Sequence, residues 1–164
     1  MPIEIFTRRW QWILLGAALA ALLAIGAAFL PVSVRESDKT DAARYLVAWI
    51  VEGRSVPGSG IPNARWLRHT ERFFVQCDFL PPEISLSDDP RVQRVTAEEE
   101  KALHQKHGFD KTVYIGITLK SENDNEFVLL FSNVYGGKGG HGDEYIFRRN
   151  TWGLRGTCKP LWVS

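Results

Sequence analysis

The sequence predicts an α+β fold: a single N-terminal transmembrane helix, then a globular domain with two helices and a curved antiparallel sheet of four to five strands. Three observations predict it. An apolar run extends from Trp10 to Val34, broken only by Gln11 and Ser33. Two later segments carry helix signals with their own start and stop residues. From Thr112 onward, four segments of strand length follow one another with short connections.

The apolar run comes first. Ile13 to Leu30 alone would cover about 27 Å as a helix, close to one hydrocarbon core. Trp10 and Trp12 sit where an interfacial aromatic belt would lie, and Arg8 and Arg9 precede them on the side expected to stay cytoplasmic. The expected organisation is a cytoplasmic tail over residues 1–9, a signal anchor over 10–34 and an extracytoplasmic domain over 35–164. The place of the protein would then be the inner cell membrane, single-pass, with the bilayer as partner through residues 10–34. Gly26-Ala27-Ala28 offers small residues for signal cleavage after Ala28, and Arg8-Arg9 resembles part of a twin-arginine signal. The apolar character continuing through Val34 favours an uncleaved anchor over cleavage, and Gln11, where a twin-arginine motif wants an apolar residue, speaks against that signal together with the strongly hydrophobic core.

"SDKTDAARYLVAWIVEG" reads as an amphipathic helix, capped by Thr40 or Asp41 and ended by Gly53. Ala42, Leu46, Trp49 and Ile50 form its apolar stripe. "RSVPGSGIPNAR" is a turn-rich loop; its Ser59 lacks the strand-led elbow that a nucleophilic serine needs. "ERFFVQCDFLPP" alternates as a strand stopped by Pro81-Pro82, with Phe73, Val75, Cys77 and Phe79 on one face. "SDDPRVQRV" is a turn with a short edge strand. Thr96 and Glu99 make a capping box for a second helix, Ala97 to His107, closed by Gly108.

The last third predicts a four-stranded antiparallel meander. "TVYIGITLK" puts Val113, Ile115, Ile117 and Leu119 on one face, and "EFVLLFSNVY" is apolar on both faces, as a central strand would be. "DEYIFRRN" and "GLRGTCKPLWV" follow, joined through Thr151-Trp152-Gly153. This order of helices and curved sheet resembles nuclear-transport-factor-like domains, a likeness of arrangement that implies no function. Type IV pilins share an apolar helix ahead of an antiparallel sheet. Their processing site does not appear: Ile5 precedes Phe6, and no Glu interrupts the apolar run.

Charge excludes one function class. With 20 Lys and Arg against 19 Asp and Glu, interspersed, the chain lacks the basic footprint of a nucleic-acid binder. One local exception stands out. Tyr145 to Ser164 holds Arg148, Arg149, Arg155 and Lys159 and no acidic residue. Such a run protects an edge strand or meets an anion.

Cys77 and Cys158 both fall in predicted strands, and in an oxidising compartment they are expected to form a disulfide. Glu100, His104 and His107 share one face of the second helix, but no metalloprotease signature accompanies them. Neither a metal nor a cofactor is expected. Gly137 to Gly142 matches G-x-G-x-x-G, yet the segment that follows is strand-like. No helix N-terminus is there to hold a pyrophosphate. The expectation is an open hairpin loop that presents Lys138 and His141.

The expected function is non-catalytic: an extracytoplasmic domain that binds a protein partner or ligand, with Lys138 and His141 as contacts. The alternative is a small-molecule-binding or enzymatic pocket on the concave face of the sheet. Asp78, Tyr114, His141 and Arg149 are its candidate residues.

Overall fold

A computed structural model describes residues 3–28, 32–54, 67, 69–108, 111–135 and 139–163. Among these, the elements run α1 (Ile3–Ala28), α2 (Glu36–Val51), β1 (Arg72–Cys77), β2 (Val92–Arg94), α3 (Ala97–His107), β3 (Thr112–Glu122), β4 (Glu126–Tyr135), β5 (Gly139–Asn150) and β6 (Gly153–Val163). The loop containing Ser59 lies outside the described residues, as does Lys138.

The six strands form one sheet in the order β2-β1-β3-β4-β5-β6. The predicted meander is present: β3-β4-β5-β6 pair antiparallel in sequence order. The sheet as a whole is mixed, which corrects the all-antiparallel expectation of four to five strands. β1 pairs parallel with both β2 and β3. A parallel partner needs a crossover, and α3, lying between β1 and β3 in the chain, supplies it. The connection from β1 to β2 is held by Arg94, whose guanidinium donates to the carbonyls of Cys77, Leu80, Pro81 and Ile84.

Strand alternation sorts the side chains onto two faces. Phe73, Val75 and Cys77 of β1 share a face with Val113, Ile115 and Ile117 of β3, and with Phe127, Leu129 and Phe131 of β4. α2 covers this face with Ala42, Ala43, Leu46, Val47, Ile50 and Val51. Each fully buried Leu or Val here contributes about 1.5–3 kcal/mol relative to exposure. On the opposite face, Phe74, Val95 and Tyr114 pack with Leu103 of α3.

α3 starts and stops where its capping residues place it. Thr96 Oγ1 accepts from the Glu99 N–H, Glu99 Oε2 accepts from the Thr96 N–H, and Gly108 follows with φ 59°. α2 starts earlier than Thr40. Its cap is built at Arg35, whose N–H donates to Asp38 Oδ2 at 2.8 Å. Gly53, with φ 62°, closes it as expected.

Two expectations about the N-terminal segment need correction. Among the described residues no helix is long and apolar enough to cross a membrane, which removes the support for an anchor over 10–34 and for a single-pass membrane location. α1 as a whole, Ile3–Ala28, begins ahead of the apolar run and takes Glu4, Arg8 and Arg9 into the same helix. The side chains of Trp10 and Trp12 lie outside the described set. Leu14, Leu15, Leu19, Leu22 and Leu23 are all well exposed on α1.

Candidate functional site

β5 is the strand that positions the site. Its pairing with β4 sets Asn133 opposite His141, Phe131 opposite Asp143, Leu129 opposite Tyr145 and Phe127 opposite Phe147. Side chains alternate along a strand, so His141, Asp143, Tyr145 and Phe147 project to the face that α2 covers. All four are buried. The β5–β6 register slips between Gly142 and Asp143, a bulge of the kind that re-aims neighbouring side chains.

The upper part of this row is polar. Tyr145 donates its hydroxyl to Asp143 Oδ2 at 3.2 Å. His141 Nε2 lies 3.3 Å from the same oxygen, close enough for an ion pair but off the line that a hydrogen bond requires, so neither ring nitrogen has a hydrogen-bond partner among the described residues. Across the strand, both amide atoms of Asn133 are also buried without a partner among the described residues. Such groups cost about 1–3 kcal/mol each and are rare in folded proteins.

The lower part opens into a cavity of about 370 Å³ between α2 and β5–β6. It is lined by Asp41, Ala42 and Tyr45 of α2 and by Tyr145, Phe147, Leu154, Gly156 and Cys158 of the strands. Gly156 is required by its neighbour. It sits opposite Phe147, and a Cβ there would lie 2.8 Å from Phe147 Cε1. The ring rests on the bare backbone and forms one wall of the cavity. Tyr145 and Phe147 stack with centroids 6.3 Å apart.

Electrostatics keep the floor neutral. Burial, then Cys158 and Asp143, push the Tyr145 hydroxyl far above its ordinary range, so it stays a proton donor at any working pH. Burial also raises the Cys158 thiol above its ordinary value, the opposite of what a nucleophilic cysteine needs. Among the described residues Asp41 is the one charged side chain in the lining.

The residues expected from sequence scatter. His141 is no loop residue. β5 begins at Gly139, and His141 sits in the strand at 2 % exposure, which corrects the open-loop reading of the glycine run. Gly139 takes a strand position because the Tyr135 ring lies over it, within 2.9 Å of where a Cβ would stand. Tyr114 lies on the far face, donating its hydroxyl to the Gly108 carbonyl. Asp78 is exposed beyond the end of β1 and accepts from Gln76 Nε2. Arg149 is ion-paired with Asp38 on α2. Asp78, Tyr114 and Arg149 therefore do not form a common pocket. Glu100 and His104 approach to 3.4 Å, whereas His107 bonds Arg72. Among the described residues no group of three metal-type side chains comes together.

The disulfide is corrected as well. Cys77 and Cys158 are free thiols, Cys77 buried on β1 and Cys158 half-buried on β6. Along the sheet β3, β4 and β5 intervene, four strand spacings or about 19 Å, against the roughly 6 Å between Cα atoms that a bridge allows. Denatured, unreduced protein is therefore expected to take two maleimide labels per chain, and one or none would contradict the separation. In the folded protein Cys77 is expected to resist labelling at pH 8, because burial pushes its thiol up to about 11.

The sequence reading missed Asp41, Tyr45, Phe147 and Asp143. The signal was available for the last two. Extending the Tyr145/Phe147 alternation back through "GGHGDEYIF" places Asp143 and His141 on the same face. Asp41 and Tyr45 sit one helical turn apart, the spacing that gives two side chains a common face. Comparison with family models, curated proteins and solved structures finds no match to the chain, so the fold-level resemblance drawn from sequence gains no support.

Proposed function

We propose that the protein binds a small ligand in the cavity between α2 and β5–β6, and that the ligand has an apolar or aromatic body carrying a positively charged amino group. The observation that carries this reading is the lining. Three aromatic rings, Tyr45, Tyr145 and Phe147, surround the space, and among the described residues Asp41 is the one charged side chain of the lining. Aromatic faces attract cations, and a carboxylate beside them supplies the counter-charge. The volume of about 370 Å³ falls in the range of small-molecule sites. The protonated thiol and phenol favour binding over nucleophilic chemistry.

Calorimetric titration with phenethylammonium tests the reading. Saturable binding is expected, weaker by about three- to tenfold in Asp41→Asn, since a partly exposed charge pair is worth about a kcal/mol. Gly156→Ala drives a methyl group against the Phe147 ring and is expected to reduce affinity by narrowing the cavity. Equal affinity for neutral n-propylbenzene would remove the cationic part of the proposal. No saturable heat with either probe would remove the whole.

A further inference from the structure

A second cavity, of about 330 Å³, lies along the same stretch of β5–β6, mainly on the face of the strand pair turned away from α2, and is lined by Arg148, Arg149, Arg155, Asn125, Asn150 and Thr157, together with Ile146. Among the described residues its lining contains no carboxylate. Arg148 and Arg155 stand directly opposite each other across the β5–β6 pair. Like charges in that position destabilise a sheet, so the arrangement costs folding free energy unless an anion sits between them. Two acidic groups partly compensate from outside: Glu126 pairs with Arg148, and Asp38 pairs with Arg149. Arg155 has no carboxylate partner among the described residues. The Nε of Arg149 is buried with no partner of its own among the described residues.

We infer that this pocket binds a tetrahedral oxyanion, a phosphate group above all. The chemistry fits at each position. Guanidinium groups present paired N–H donors that match two oxygens of a phosphate. Asn125 and Asn150 add neutral donors around the same space. Arg155 and Arg148 are the primary binders, because they are the facing pair whose repulsion the anion relieves. The site is separate from the aromatic cavity: the two linings share no residue.

The test is titration of the full chain with sodium phosphate, followed by thermal unfolding and by calorimetry, against sodium chloride at equal ionic strength. Phosphate is expected to raise Tm where chloride does not, and to bind saturably. Arg155→Gln is expected to weaken phosphate about tenfold or more, the loss of one charge-assisted contact. Without phosphate, the same variant should unfold at or above the wild-type temperature, since it removes a repulsion and breaks no ion pair. Arg54→Gln, an exposed arginine paired with Glu52 elsewhere, is expected to bind as wild type does. Phenyl phosphate binding more tightly than inorganic phosphate would mark a phosphomonoester as the occupant, and equal binding would mark the free anion. Phosphate and chloride acting alike would overturn the proposal, as would undiminished phosphate binding by folded Arg155→Gln.

Discussion

Replacing Asp38 with Ala should destabilise the protein by about 2–4 kcal/mol, the cost of losing a helix cap together with the charge-assisted hydrogen bond to a part-buried guanidinium. Asp38 is 4 % exposed and does two jobs. One carboxylate oxygen pairs with Arg149 of β5, tying the start of α2 to the sheet. The other accepts the Arg35 N–H and caps the helix. Loss of a cap alone costs about 0.5–2 kcal/mol, so the larger part of the expected effect comes from the stranded guanidinium. A double-mutant cycle separates the two. Adding Arg149→Met to Asp38→Ala should recover a sizeable fraction of the loss, because no unpaired part-buried charge remains. Chemical denaturation of the three variants checks this. A loss below about 1 kcal/mol in Asp38→Ala would show the pair to be no anchor of α2. The result would also bear on the site, since α2 carries Asp41 and Tyr45 to the cavity wall.

The second large effect has the opposite sign. Asn133→Leu should stabilise the protein by about 1–3 kcal/mol. Leucine has nearly the shape of asparagine, and Asn133 is 1 % exposed with both amide atoms unpartnered among the described residues. For a chain of this size each kcal/mol moves Tm by about 2–4 °C. Most core substitutions destabilise, so a rise of several degrees is a distinctive outcome. A fall in Tm would show that the amide is satisfied in solution, and that the polar end of the β5 row is a hydrated structural network.

Local signals carried much of the architecture. The Thr96/Glu99 capping box and Gly108 marked both ends of α3, because each acts within a few residues of itself. The β3-β4-β5-β6 order followed from short connections between strands of clear alternation. Parallel pairing of β1 with β3 was not legible, since its partners lie about forty residues apart and no local residue encodes that choice. The glycine run misled for a physical reason. Glycine reads as a turn former by its backbone freedom, yet in β5 and β6 it serves close packing: Tyr135 covers Gly139, and Phe147 covers Gly156. The cavity was hidden in the same way. Its wall needs a missing side chain at Gly156, a helix positioned by an ion pair at Asp38, and a row of residues set by strand register. Each is long-range.

The central claim is that the aromatic cavity between α2 and β5–β6 takes a cationic ligand. Amide chemical-shift mapping of the full chain during phenethylammonium titration tests it most directly. The account predicts saturating shifts at Asp41, Tyr45, Tyr145, Phe147, Gly156 and Cys158, with the amides of α3 left in place. Shifts confined to other residues, or none at ligand concentrations well into the millimolar range, would contradict it.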